Sequence, residues 1–442
     1  MADNRLRYTE WIYLLIISAV AIFLRYWFIM HIPSEPVFDF STYQEIASNI
    51  YHHRGHTLLG QPVAWQGMAY PTILGWFYIL MGNDQVHTAR LFNLGLSLLS
   101  LPLILLIFKK LSSNKVVVYG AYTLTIFLPN YIAYTNVVGT EVFFLFLFLL
   151  ILVLQLYNFK NWLRYPLLGI VIGIAALTKP FFLAYPLVVG LHIWMKNRNW
   201  KETAVMLLTI SVVMATVVFP WTLRNYRCYN AFIPISYNSG YVLFINNNSN
   251  NVNGSWMPLE EVPASPSIQR QIETQLQKNQ DNVKLAAHLE KTIKPVARKW
   301  IIDHPGAFME LGLLRLKQTF FSGAWDIDAW AMNGIFMVGQ DSPEFRRHIN
   351  TFYAGADILI YILSSAGIIY LLLNTRRLLK ALFSRKMTLK DEVLIPCLNT
   401  AFFLAVYFVF EGQARYNYPL LFLFAISLFI IMHKTADGLR SE

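Results

Sequence analysis

Apolar runs of about twenty residues recur along this chain, and each is long enough to cross the roughly 30 Å hydrocarbon core of a bilayer. Inside hydrocarbon every backbone polar group must find its partner within the protein, so runs of this kind fold as helices. Charged residues make up 14% of the 442 residues, against about 25% in soluble domains. Mean hydropathy is +0.43. The fold class expected is therefore an all-α polytopic membrane protein. The formal net charge of +11 fits Lys and Arg retained on cytoplasmic segments, so no nucleic-acid partner is expected.

Charge places the runs in order. Arg5 and Arg7 precede a first span from Trp11 to about Met30, too long and too aromatic for a cleaved signal peptide. It reads as a retained anchor with the N-terminus in the cytoplasm. Further spans are expected at 88–108, 116–133, 140–157, 165–178, 181–195, 203–219, 353–373, 393–410 and 418–432. That makes about ten crossings, with both termini cytoplasmic. Inner ends carry Lys109, Lys110 and Lys115, then Lys160 and Arg164, then Lys196, Arg198 and Lys201. Arg376, Arg377, Lys380, Arg385 and Lys386 follow, and the last span ends at His433 and Lys434. Short outer turns carry almost no cations apart from Lys179 and Arg415, which the positive-inside rule leaves unexplained.

Three regions result. Residues 1–219 form an N-terminal membrane module, whose first outer loop, 31–87, contains an interfacial helix at 69–82. Residues 220–350 form one long extracytoplasmic region, with an Asn-rich stretch at 246–253, a helix-like basic segment at 268–301 and an amphipathic piece at 304–321. Residues 351–442 form a C-terminal membrane module. No internal repeat is visible, which removes the usual support for a transporter. Cys228 and Cys397 imply neither a disulfide framework nor a thiolate metal site.

Chemistry concentrates at the outer edge. Asp39, in FDFSTYQEIA, falls where the chain leaves the bilayer, and a carboxylate at that depth needs a cation, a proton or a function. It is the candidate base or metal ligand. On a helix over 38–50, Thr42, Tyr43, Ile46 and Ile50 share its face. Glu45 points roughly 240° away and is a poor partner. The alternative is that Asp39 only caps that helix. Glu141 opens the span at 140–157, either favoured there by the helix dipole behind a Thr140 cap, or facing Asp39 across a cavity as a pair able to hold a divalent cation. Lys179, Arg224, Arg227 and Arg415 leave different helix ends at one depth. Each alone is an ordinary headgroup anchor, whereas four together suit an anionic lipid substrate. His52 and His56 have zinc spacing on a helix, but Gly55 weakens the helix and no third ligand is evident. The sequons at Asn247 and Asn253 matter only in a glycosylating host.

Five stretches resemble the GT-C superfamily of integral-membrane glycosyltransferases, in the branch of protein O-mannosyltransferases and lipid A aminoarabinose transferases. They are FDFSTYQEIASNI, AYPTILGWFYILMGNDQVHTARLFN, GTEVFFLFLFLLI, FPWTLRNYRCYNAFIPISYNSGYVLFINNN and GQARYNYPLLF. The resemblance runs from about Trp11 to His433. It implies a polyprenyl-phosphate sugar donor whose tail lies in the bilayer. Transfer would go with inversion to an extracytoplasmic hydroxyl on a glycan, lipid or protein, at the plasma (inner) membrane. Asp39 would be the base, and Arg224, Arg415 and Lys179 would stabilise the leaving phosphate. Arg227, Tyr43, Tyr416 and Glu141 would complete the substrate site. Two departures stand out. Many relatives have Asp-Glu where this chain has Asp39-Phe40, which bears on metal dependence, and many carry a large C-terminal soluble domain, whose role here is expected to fall to 220–350. The rival readings are a lipid-linked oligosaccharide polymerase or ligase, and a transporter.

Overall fold

The computed structural model describes residues 2–335, 343–384 and 386–440. Arg385 and the side chains of Arg5 and Arg7, assigned above to inner ends, lie outside the described residues. Helix α1 (Ala2–His31) leads to α2 (Asp39–Tyr51), a two-strand hairpin at 57–62, α3 (Ala69–Met81) and α4 (Val86–Leu111). Next come α5 (Lys115–Ile126), α6 (Pro129–Ala133), α7 (Thr140–Leu156), α8 (Asn161–Thr178), α9 (Tyr185–Asn197) and α10 (Trp200–Tyr229). The long polar region supplies α11 (Ser239–Asn246), α12 (Pro266–Gln277), α13 (Leu289–Asp303) and α14 (Pro305–Phe320). Helices α15 (Pro343–Phe383), α16 (Asp391–Val409) and α17 (Leu421–Arg440) complete the chain.

Among the described residues seven helices are long and apolar enough to cross a membrane, and the pair α5–α6, bent by 50°, makes an eighth. The apolar runs of the sequence predict about ten crossings. The other two apolar runs form α7, 17 residues long, and α9, 13 residues long. Helix α7 is buried on nearly every face, so protein rather than lipid surrounds it. Helix α9 is shortened by the 3₁₀ turn Pro180–Ala184. Helix α10 runs through Pro220 to Tyr229, so that span does not end where the sequence reading ended it.

The α5–α6 break explains an ionisable residue inside a span. Pro129 has no N–H to continue the helix. Arg25, fully buried in α1, donates to the Ile126 carbonyl at 2.9 Å, to the Ala21 carbonyl at 3.0 Å and to Ser97 Oγ at 2.9 Å. Its guanidinium thus takes up a carbonyl freed at the bend.

Two large cores result. One lies within the helix bundle, where α8 packs on α10, α4 on α7, and α17 on both α5 and α15. The second joins the first loop to the polar region: Ile46, Ile50, Trp65 and Met68 pack with Tyr237, Phe244, Leu289 and Ile293. Two segments far apart in sequence therefore fold as one cap over one end of the bundle. Gly67 pins that cap down, since a Cβ there would lie 2.6 Å from the Leu177 carbonyl oxygen at the end of α8. Half of the Asn-rich stretch is internal: Asn246, Asn247, Asn248 and Asn251 are buried, while Asn250 and Asn253 are exposed. Asn247, Asn248 and Asn251 donate to the carbonyls of Leu243, Phe244 and Ile245 that end α11. The fully buried Arg315 of α14 donates to the Asn246 carbonyl at 2.5 Å and to Asn247 Oδ1 at 2.9 Å.

Candidate active site

Asp39 is the first residue of α2. Phe38 before it has φ 51° and ψ −113°, a conformation that a bulky residue holds only when its surroundings impose it. No side chain caps this helix, so Asp39 is not spent on its own backbone amides. Its Oδ2 lies 3.4 Å from Arg415 Nη2, and its Oδ1 lies 3.6 Å from Lys284 Nζ. Desolvation pushes the carboxyl up, but Arg415 and Lys284 outweigh it and hold the group below the usual carboxylate range. The Asp39 side chain is still 31% exposed, so an incoming hydroxyl has access to it.

Arg415 sits on the 3₁₀ turn Ala414–Leu420 between α16 and α17. Its guanidinium carbon lies 5.2 Å from the Phe40 ring centre, 5.6 Å from that of Tyr416 and 5.9 Å from that of Trp330. Three aromatic faces hold the cation in place and strengthen its charge by excluding water. Its Nε is buried without a hydrogen-bond partner among the described residues.

Glu141 lies in the first turn of α7, but Gly139, not Thr140, is the N-cap. Glu141 Oε1 is 3.5 Å from Lys179 Nζ, and Oε2 is buried without a partner among the described residues. Lys179 closes α8. Burial pulls its ammonium below its ordinary value, and Glu141 only partly restores it. Tyr416 presents its ring 5.9 Å from Lys179 Nζ and donates its hydroxyl to Glu411 Oε2 at 2.6 Å. Burial pushes the Glu411 carboxyl up. Tyr43 is buried on the Asp39 face of α2 with its ring edge-on to Tyr70, as the helical spacing predicts.

Asp39, Tyr43, Glu141, Lys179, Arg415 and Tyr416 therefore come together at one end of the bundle. Arg224 and Arg227 do not join them, which corrects the four-cation grouping. Because α10 continues past Pro220, Arg224 lies on a helix face and donates to the carbonyls of His56 at 2.9 Å and Val63 at 3.0 Å. It braces the first loop, and Arg227 is exposed on the same helix. The histidine pair is likewise spent elsewhere: His52 lies 3.3 Å from Asp84, and His56 lies 2.7 Å from Thr72 Oγ1.

Two groups at this end escaped the sequence reading. Lys284 is one of many lysines in a polar region, and no local pattern marks it. Asp326 had a signal, as an acid inside the aromatic run FFSGAWDIDAW. It is fully buried, accepts the Tyr134 hydroxyl at 2.5 Å, and burial pushes it up to about 6.

The Asp39 and Glu141 pair does not fit a divalent cation in this arrangement. Each carboxylate is already matched by a protein cation, three in all, and no cluster of three His, Cys, Asp or Glu able to hold a metal occurs among the described residues. A divalent ion placed there would face Arg415, Lys284 and Lys179.

A model of the dolichyl-phosphate-mannose-protein mannosyltransferase family matches residues 13–235. No curated protein matches the chain in sequence. Among solved structures the fold is similar to the oligosaccharyltransferase of the archaeon Archaeoglobus fulgidus in its apo form. That match has a TM-score of 0.51 and 12% identity and covers 97% of this chain and 51% of the other. The archaeal oligosaccharyltransferase from the same organism, in complex with an inhibitory peptide and a dolichol-phosphate, matches with a TM-score of 0.51 and 14% identity over 96% of this chain and 50% of the other. The chain thus spans about half the length of the structures it matches. At this identity the likeness shows the fold.

Proposed function

This chain belongs to the dolichyl-phosphate-mannose-protein mannosyltransferase family, and from that premise we propose that it is a membrane-embedded glycosyltransferase using a polyprenyl-phosphate sugar as donor. The observation that carries the reading is the Asp39–Arg415 pair: a carboxylate and a caged guanidinium from opposite ends of the sequence, 3.4 Å apart at the head of the bundle. Asp39 takes the proton of an acceptor hydroxyl, and the oxygen attacks the anomeric carbon from the face opposite the phosphate. The bond between that carbon and the phosphate oxygen breaks, the configuration inverts, and the carrier leaves as polyprenyl phosphate. Arg415, and Lys179 from the end of α8, stabilise the charge that develops on the phosphate. The cap built from the first loop and the polar region keeps water from the donor and gives the acceptor its binding surface. That acceptor is a glycan, a lipid or a protein.

Clusters of Lys and Arg at the bundle end opposite the site support a cytoplasmic location for that end, and therefore an extracytoplasmic site at the plasma (inner) membrane. The natural Cys228 is exposed on the site side and Cys397 is buried, so the chain carries its own probe. An impermeant maleimide on intact cells is expected to label Cys228. It should not label Lys110→Cys in a Cys228→Ser background. The reverse pattern would invert the orientation and sink the donor assignment.

The reaction itself is tested by mass spectrometry of lipid-linked sugars in cells lacking the protein. Accumulation of one polyprenyl-phosphate sugar, cleared when the gene is restored, is the expected result. An unchanged lipid-linked pool would overturn the reading. Arg224→Lys should lower the thermal stability of the purified protein without changing the KM for donor, because Arg224 binds loop carbonyls; a raised KM at unchanged stability would return it to the phosphate site.

A further inference from the structure

We propose that Lys284 is a donor-responsive positioning residue: it holds Asp39 while the site lacks donor, and the carrier phosphate draws it off, releasing the carboxylate to the acceptor hydroxyl. This rests on the glycosyl-transfer reading above. Both Asp39 oxygens face cations, Oδ2 toward Arg415 and Oδ1 toward Lys284. A base in that state is weak, because each oxygen a hydroxyl could approach sits beside a cation. The base strengthens if one of the two moves away. The phosphate of the donor is an anion that competes for the same cations.

The structure distinguishes the two cations. Arg415 is 11% exposed and enclosed by three rings, so its guanidinium stays in place. Lys284 is anchored at its backbone, and its ammonium is held by hydrogen bonds to Thr42 Oγ1 and the Phe38 carbonyl. Its N–H donates to Asn282 Oδ1 at 2.9 Å, and its carbonyl accepts the Tyr237 hydroxyl at 2.7 Å. The flexible four-carbon stem beyond that anchor can swing. Its Nζ is 2.6 Å from Thr42 Oγ1, 3.3 Å from the Phe38 carbonyl and 3.6 Å from Asp39. The tight contact is thus to Thr42, one turn along α2, while the contact to Asp39 is a loose ion pair that a phosphate can replace. Lys284 comes from the polar region and Asp39 from the first loop, so this exchange also links donor arrival to the fit of the cap.

The sign of the effect follows. Lys284 beside Asp39 lowers the carboxyl pKa, so moving the ammonium to the phosphate raises it. Asp39 becomes a stronger base when donor is present and acceptor attack can follow. Donor binding near the titration of Asp39 is then accompanied by proton uptake. The donor is a phosphodiester, which does not itself titrate in that range.

The test is calorimetric titration of the purified full-length protein with polyprenyl-phosphate mannose, in buffers of different ionisation enthalpy and at several acidic pH values. Wild type is expected to take up protons on binding, and Asp39→Asn to take up none. Lys284→Met should bind donor about tenfold more weakly, with proton uptake cut to less than half, and Lys284→Arg should restore the uptake. Wild-type binding without proton uptake, or undiminished uptake in Lys284→Met, overturns the proposal while leaving glycosyl transfer intact. If Lys284→Met does not fold, the wild-type measurement and Lys284→Arg decide alone. Wild type that does not bind the probe overturns both this proposal and the donor reading beneath it.

Discussion

Asp39→Asn is expected to lower transfer about 10²–10⁴-fold, the usual loss when a general base is removed, with normal membrane insertion. The substitution keeps size and polarity and removes the proton acceptor. A second readout separates this from a structural defect. Asp39 competes with the donor phosphate for Arg415 and Lys284, so the Asn variant should bind donor at least as tightly as wild type. Wild-type turnover by Asp39→Asn would reduce the residue to part of a helix start. Lost donor binding together with lost turnover would mean that the cation pair needs Asp39 to stand in place. The control is Glu45→Gln, which should be nearly silent. Glu45 lies away from the Asp39 face and accepts the Leu59 N–H at 3.0 Å, and glutamine keeps an oxygen for that bond.

The helix class was legible because backbone in hydrocarbon has few choices. So was the placing of Asp39 and Arg415, since an acid just after a first span and a cation on an outer turn each break a strong rule. Glu141 and Lys179 were found in the same way, and the structure pairs them at 3.5 Å. What misled was Pro220. A proline after an apolar run reads as an exit, but within a membrane helix its cost is met by neighbouring groups. Helix α10 passes through it and carries Arg224 away from the site, toward the carbonyls of the first loop. Lys284 was illegible for a different reason. Its place depends on a tertiary core between the first loop and the polar region, and no periodicity or motif in either segment records that contact. Within the Asn-rich stretch, the amides of Asn247, Asn248 and Asn251 satisfy the last carbonyls of α11 from inside the cap, a role that composition does not reveal. Composition identifies polar residues; only packing shows whether their partners are water or backbone.

Arg415→Lys is the second large effect expected, a loss of roughly ten- to a hundredfold in transfer from one or two charge-assisted contacts. Charge and topology are preserved, but the planar fork is not. The structure gives that fork two separate tasks. Nη2 reaches Asp39 at 3.4 Å, while Nε is buried without a partner among the described residues, a donor that a phosphate oxygen could satisfy. Lysine offers a single ammonium on a flexible stem, and it stacks less well between Phe40, Tyr416 and Trp330. Where in the kinetics the loss falls is informative. Loss of an arginine that meets the phosphate mainly as charge develops on the leaving group lowers kcat; loss of one that binds ground and transition states equally raises only KM. The site geometry favours the first. Asp39 already neutralises much of the Arg415 charge, so the ground-state gain from a singly charged phosphodiester is small. The gain grows as the carbon–oxygen bond breaks and a second charge appears. Donor titration of purified Arg415→Lys beside wild type decides between these outcomes. Kinetics equal to wild type would remove Arg415 from leaving-group stabilisation and leave Lys179 and Lys284 to supply it.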